Sequence, residues 1–483
     1  MTLRSLIRFR ALALFGLLLL LAPGCGGGSG SPAAATPPPP PPADFLDVLR
    51  TAPGVSGVVE GASPIPGTRF FRFLMTQPVD HGVAGGPTFP QTATLLYRSR
   101  TAPVVLATTG YGISRSASQG EPTRILNANQ LTLEHRFFNS STPATLDWSK
   151  LDIQQPAADQ HAVVLALKPL FSGKWLSTGG SKGGMTALFH RRFHPNDVDA
   201  TLAYVAPVNL AQGDLRYIPF VDARGDSATR LALEAWQQAI LDKRSEVLGL
   251  FQADATARGA AFNHLGPDRT LEFAVLESPF ILWQYGNAAL AAQVPPVTAP
   301  ASSLYAYLNL VNSGVVDSWS DSTLDYFQAY YQQCATQLGY PAVKEAHLTG
   351  LAYPGQDLPA IYPPVGAAKA YDGGAAMQDI QAWLSASAQN VILVYGENDP
   401  WTAGALDVPG AAQARGVRKF IAPGGNHGAN LAGLIAADRN EAYGLLGQWL
   451  GAPVAPAMPG PAVPSRAGAD DISDTFVVRR PLR

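Results

Sequence analysis

Apolar and polar positions along the chain fall into two regimes. Thr92–Tyr97 and Val104–Thr108 have strand composition, and the second ends at the glycine-bounded turn Thr109-Gly110-Tyr111-Gly112. Leu131–Phe137, rich in Leu, Thr and Phe, predicts another strand. Pro156–Lys168 reads as a helix on its length and its leading proline, although Ala162–Leu167 alone has strand composition. Trp175–Thr178 predicts a short strand that runs through Gly179-Gly180-Ser181-Lys182-Gly183-Gly184 into a helix over about Met185–Phe193, and Ala200–Val205 is an apolar run closed by Pro207. From about 215 to 375 strand alternation disappears, and Ala228–Asp254, Thr270–Leu290 and Ser322–Leu338 carry helical spacing instead. Strand signal returns at Asn390–Tyr395 and Val417–Ala422, followed by a helix over about Ala429–Leu450. No internal repeat is visible. Strand–helix alternation broken by a helical block and then resumed predicts an α/β sheet in two parts, 45–214 and 376–450, with a helical cap inserted at 215–375. Short strands with few charges fit a mostly parallel sheet covered on both faces.

The ends have a different texture. Arg4, Arg8 and Arg10 precede the uncharged stretch Ala11–Leu21, which is shorter than the roughly 20 residues a membrane-crossing helix needs and fits the core of an export signal. Leu21-Ala22-Pro23-Gly24-Cys25 is similar to a bacterial lipobox, in which the cysteine is acylated and becomes the new N-terminus. Ordinary secretion with cleavage near Gly24 is the alternative. Residues 26–44, Gly/Ser-rich and then Pro-rich, read as a tether, and 451–483 as a Pro/Ala-rich tail. The expectation is an exported protein, lipid-anchored at the cell envelope through Cys25 or else secreted. With Cys25 so used, Cys334 is left as a buried free thiol.

Composition narrows the function. Against 36 Asp+Glu stand 34 Lys+Arg, a formal net charge of −2, which argues against nucleic acid as a partner. Hydrophobic residues at 47% of the 483 supply a large core, and two cysteines exclude a disulfide scaffold. There is no His-Glu-x-x-His, no paired cysteine ligands, no Gly-x-x-x-x-Gly-Lys-Ser/Thr, and no Gly-x-Gly-x-x-Gly after the first strands. Neither a metal nor a cofactor is expected. Oligomeric state stays open.

The candidate chemistry lies in Gly179-x-Ser181-x-Gly183, which has the form of a nucleophile elbow: a serine on a tight strand-to-helix turn, with glycines that let neighbouring backbone pass close. Such a hydroxyl needs a base, and the base an orienting acid. In the α/β-hydrolase order both follow downstream, each on a loop after a strand. Asp399 follows the strand at 390–395, with Glu397 and Asp407 as competing acids; Pro400 and Trp401 fix the turn that presents Asp399. His427 follows the strand at 417–422 within Pro423-Gly424-Gly425-Asn426-His427-Gly428. The seven other histidines lack that placement. An oxyanion hole would take the backbone N–H of Lys182 and of the Tyr111-Gly112 turn; the Lys182 side chain is not required by it.

Five phrases carry a resemblance: Glu134-His135-Arg136-Phe137-Phe138, Ser177–Thr186, Tyr204-Val205-Ala206-Pro207-Val208-Asn209, Tyr395-Gly396-Glu397-Asn398-Asp399-Pro400-Trp401 and Gly425-Asn426-His427-Gly428. The chain resembles the secreted bacterial prolyl tri- and tetrapeptidyl aminopeptidases over about residues 60–450. The resemblance implies an α/β-hydrolase fold with a helical cap, serine exopeptidase activity on peptide substrates, often after Pro, and Ser181, Asp399 and His427 as nucleophile, acid and base. The lipobox and tether are not part of the family pattern. Counting residues from a free amine calls for a carboxylate at the closed end of a cleft, and Glu134 and Glu277 are the candidates. Phe280, Trp283, Tyr285, Tyr326 and Tyr330 could line a pocket for Pro, though helical spacing also suits core packing. An exported esterase or lipase on the same fold, or a non-catalytic surface lipoprotein, are the competing readings.

Overall fold

The computed structural model describes residues 43–455; the expected export signal, Cys25, the expected tether up to residue 42 and the expected tail beyond residue 455 lie outside the described residues. Nine strands form one sheet: β1 Val55–Gly61, β2 Arg69–Pro78, β3 Thr88–Tyr97, β4 Val104–Thr108, β5 Asn129–Leu133, β6 Trp175–Gly180, β7 Ala200–Tyr204, β8 Val391–Gly396 and β9 Val417–Ala422. Their spatial order is β1-β2-β3-β5-β4-β6-β7-β8-β9. The pairs from β1 to β5 run antiparallel, and every pair from β5–β4 to β8–β9 is parallel.

Helices close both faces, and the strands show why. In β8 every residue is buried. Val391, Leu393 and Tyr395 pack with Met185, Leu188 and Phe189 of the helix Lys182–Phe193 and with Met377 and Ile380 of the helix Ala375–Ala386. Ile392 and Val394 point the other way, to Leu446 and Leu450 of the helix Ala436–Leu450. A two-residue side-chain period inside a two-sided apolar environment gives a continuous hydrophobic run. A parallel sheet in this strand order, covered on both faces, is the α/β-hydrolase fold.

Several expected boundaries shift. The strand expected over 131–137 stops at Leu133: Glu134 N–H still donates to the Thr92 carbonyl of β3 at 3.0 Å, but beyond it the chain turns away, with Phe137 at φ 69°. The helix expected from 429 begins at Ala436, since Asn430 caps a separate short turn at Leu431–Gly433. The run 228–254 breaks at Lys243 into Ser227–Asp242 and Arg244–Arg258, and 270–290 breaks at Gly286. β1 and β2 had no counterpart in the expected elements.

Among the described residues, the stretch between β7 and β8 holds helices and loops but no strand. Its own core gathers Trp236, Phe251, Phe273, Leu304, Leu308 and Trp319. No helix among the described residues is long and apolar enough to cross a membrane.

Candidate active site

Ser181 sits where β6 hands over to the helix Lys182–Phe193. Its φ of 53° and ψ of −128° are unfavourable for a side-chain-bearing residue, a strain of about 1–3 kcal/mol that the surroundings must hold. Two bonds do so: the Ser181 N–H donates to the Tyr204 carbonyl at 2.9 Å, and the Ser181 carbonyl accepts from Met185 N–H at 3.0 Å. A Cβ on Gly179 would stand 2.5 Å from the Thr108 carbonyl oxygen, and one on Gly183 would overlap that same atom. Strand ends and helix start are pressed together with no room for a side chain, which fixes the serine at the floor of a cleft. The cleft is small and is lined among others by Tyr111, Ser181, Met185, Tyr330, Cys334 and Trp401.

The loop after β9 carries His427, whose Nδ1 lies 2.8 Å from Asp399 Oδ2 in the turn after β8. An ionised carboxylate only accepts, so Nδ1 holds the proton and donates it. Asp399 is fully buried, and its other oxygen accepts from Trp401 N–H at 3.2 Å. The competing acids are engaged elsewhere: Glu397 accepts from Gly424 N–H at 2.7 Å, and Asp407, 89% exposed, faces Lys419 at 3.8 Å. Among the described residues no hydrogen bond joins the Ser181 hydroxyl to the imidazole. The two share Trp401, which lines the serine's cleft and whose ring centroid is 6.1 Å from that of His427. The inserted helices also hold the histidine: His427 N–H donates to the Gln284 carbonyl at 3.0 Å, and the Tyr285 ring stands edge-on at 6.0 Å.

The expected oxyanion donors divide. Lys182 N–H opens a helix and so lacks an intrahelical acceptor. The Gly110–Gly112 turn touches the elbow, since a Cβ at Gly110 would meet Gly183 N at 2.8 Å. Yet Tyr111 N–H donates to Thr109 Oγ1 at 3.2 Å and Gly112 N–H to the Tyr326 hydroxyl at 3.3 Å. Both of these N–H groups are engaged, contrary to expectation, because the Thr109 hydroxyl folds over the turn and Tyr326 reaches in from the inserted helices. The Lys182 side chain is only 2% exposed; its Nζ donates to the Gly110 carbonyl at 2.6 Å and lies 5.4 and 5.5 Å from the Tyr111 and Phe138 ring centres. Burial pushes its pKa down to about 7.

Residues 39–480 match the PS-10 peptidase S37 family. The chain belongs to that family. It is 40% identical over 412 residues, 85% of each chain, to the prolyl tri/tetrapeptidyl aminopeptidase of Streptomyces mobaraensis. Two solved structures similar to it are remote in sequence. The proline iminopeptidase of Mycobacterium smegmatis is 13% identical at a TM-score of 0.30, covering 76% of this chain and 91% of that one. The 2-hydroxy-6-oxo-6-phenylhexa-2,4-dienoate hydrolase of Rhodococcus sp. strain RHA1 is 12% identical at a TM-score of 0.33, covering 82% and 100%. The protein is therefore a serine peptidase of the S37 family on an α/β-hydrolase fold.

The two candidate amine-binding acids of this S37 peptidase differ in how they are used. Glu134 is buried and already bonded, accepting from Asn139 Nδ2 at 2.8 Å and Ser141 Oγ at 2.6 Å; it braces the loop after β5. Glu277 accepts from the Tyr340 hydroxyl at 3.2 Å and is paired with Asp357, which the sequence did not single out. Burial and the neighbouring carboxyl hold the Glu277 pKa well above its ordinary range, and burial raises Asp357 as well. The pair sits behind the wall of the serine's cleft: Tyr331 and Tyr340 face it, and Tyr330, Cys334 and Leu338 of the same chain segment line the cleft. Of the candidate aromatics, Phe280 and Trp283 line a larger second cleft, and the Phe280 ring is 5.2 Å from that of Trp401. Tyr330 lines the serine's cleft, Tyr326 packs on Phe138, and Tyr285 is half exposed beside His427.

Glu121 is a further residue that sequence reasoning missed. Buried at the start of a short helix, it accepts from Leu431 and Ala432 N–H at 3.0 and 2.8 Å and from the Tyr204 hydroxyl at 2.8 Å, tying the segment after His427 to the end of β7.

Proposed function

We propose that the protein releases short peptides from unblocked N-termini, cutting after Pro, with Ser181 as nucleophile, His427 as base and Asp399 as its orienting acid. The observation that carries this reading is the strained serine opening onto a small aromatic cleft whose Trp401 also packs on the buried His427–Asp399 pair. In this reading Ser181 Oγ passes its proton to Nε2, the nitrogen that Asp399 leaves free. His427 takes the hydroxyl proton as oxygen attacks the peptide carbonyl, and the Lys182 N–H holds the oxyanion. The amide nitrogen leaves with the proton from His427, and water then releases the acyl peptide by the reverse sequence. The name of the Streptomyces relative supports the tri- and tetrapeptidyl specificity. The Met185, Tyr330 and Trp401 walls suit an apolar pyrrolidine ring.

Glu277 and Asp357 are assigned to the substrate's ammonium. The groups that shift their charge are carboxyls and phenols, with no cation among them, so an incoming ammonium supplies the counter-charge that the pair lacks. Digestion of an unblocked peptide with an internal Pro, read by mass, should give tri- or tetrapeptides from the amino end. Acetylating the amine should slow the reaction sharply, and Ser181→Ala should abolish it with the fold unchanged. Equal rates on blocked and free peptides, or turnover confined to short acyl esters, would replace this reading with an endopeptidase or an esterase.

A further inference from the structure

Three of the chain's eight histidines gather around one aspartate, away from the cleft. His161 lies on the helix Gln154–Leu167, His190 within the helix Lys182–Phe193, His194 at that helix's C-terminal cap, and Asp197 three residues further on. His161 Nδ1 donates to Asp197 Oδ1 and Oδ2 at 3.0 and 2.8 Å, and the fully buried His190 donates its Nε2–H to Oδ2 at 2.8 Å. The His194 ring is stacked on His161, centroids 4.1 Å apart. One ligand atom from each of His161, His194 and Asp197 lies within 4.8 Å of the others.

We propose that His161, His194 and Asp197 form a binding site for a divalent transition ion of the zinc class, with His190 orienting the carboxylate from behind. Two imidazoles and a carboxylate form a donor set that such ions favour, with a fourth position left to water. A histidine held by hydrogen bond behind a ligating carboxylate is the outer-shell support that metal sites use. Among the described residues no lysine or arginine pairs with the carboxylate: Lys168 Nζ donates to the Asp197 backbone carbonyl and Arg191 to that of Val198. The ion takes the place of the proton that His161 Nδ1 donates to Asp197; that proton passes to solvent while Nε2 takes one up from solvent, so the ring stays a neutral imidazole with its single N–H on the far nitrogen. Bonds of about 2.0–2.1 Å in a tetrahedral set bring ligand atoms to about 3.3 Å. The remaining closure is a rotation of two partly exposed rings out of their stack. No spacing motif announces the site because one ligand comes from the helix Gln154–Leu167 and the other two from the turn after the helix Lys182–Phe193. Bound there, the ion fastens the end of the helix that begins at Ser181 to its neighbour.

The test uses the full chain stripped with chelator. Zinc titration at neutral pH should show one site per chain and a raised thermal midpoint, and cobalt should give the visible absorption of a tetrahedral site. His161→Ala and His194→Ala should each weaken binding roughly tenfold or more, while His264→Ala leaves it unchanged. Absence of saturable zinc binding to the wild-type chain overturns the proposal, and so does wild-type affinity in a folded His161→Ala/His194→Ala double variant.

Discussion

Asp399 has no freedom that a variant could exploit: it is fully buried and bonded on both oxygens, to His427 and to the Trp401 N–H. Asp399→Asn keeps the shape but favours the wrong imidazole tautomer. It should lower kcat by about four orders of magnitude with KM little changed, a result that steady-state kinetics would show directly. Lys182 gives a pH signature of another kind. Its folded pKa is pushed down to about 7 from an ordinary value of 10.5, so between those limits the unfolded chain binds more protons than the folded one. Stability should therefore gain from this residue as pH rises from about 7 towards 10. Denaturation midpoints of Lys182→Met across that range should lack the wild-type gain, and parallel curves would reject it. At this scale the sequence was readable where a residue type has one job in one place. Ser181 between glycines, and Asp399 and His427 each just past a strand, announce themselves. Asp357 and Glu121 do not, because an isolated acid in a loop or at a helix start carries no spacing signal, and only the fold brings each to its partners.

Element boundaries were legible in proportion to burial. The expected limits of β4 and β9 coincide with the observed ones, since both are short apolar runs bounded by turn residues. β1 was invisible because it is an edge strand with two glycines and mostly exposed side chains, and its pattern comes from pairing with β2 alone. The long helical runs were recognised as helical but not as broken, because Lys243 and Gly286 interrupt them for tertiary reasons. The elbow is the element that tolerates least. Gly183→Ala would drive a methyl into the Thr108 carbonyl oxygen, and the strand end or the helix start must yield. A cost of about 1–3 kcal/mol should accompany a loss of peptidase activity far larger than that figure explains. Full activity in the variant would show that the serine's placement does not depend on this close approach.

Across the whole molecule, buried polar links hold the pieces in register. Arg136 and Asp159 are both fully buried and joined by bonds of 2.6 and 2.7 Å, with His81 on the same carboxylate at 2.8 Å. Arg136 also donates to the Pro78 and Val79 carbonyls, so one side chain connects the end of β2, the loop after β5 and the helix Gln154–Leu167. Arg136→Met leaves a buried carboxylate with only His81 and a long bond from Gln91 Nε2 at 3.4 Å, and should cost about 3–5 kcal/mol in denaturant unfolding; a change under about 1 kcal/mol would mean that the link is incidental. The resemblance in Glu134–Phe138 thus marks scaffolding as much as chemistry. The placement of β8 and β9 after the inserted helices has a consequence for biosynthesis. A ribosome that has translated as far as residue 390 has already made the strained serine, seven of the nine strands and every helix of the insertion. Neither the imidazole nor its carboxylate has yet been made. On the proposed assignment of base and acid, the nascent polypeptide would be inert towards peptides until the segments carrying Asp399 and His427 emerge.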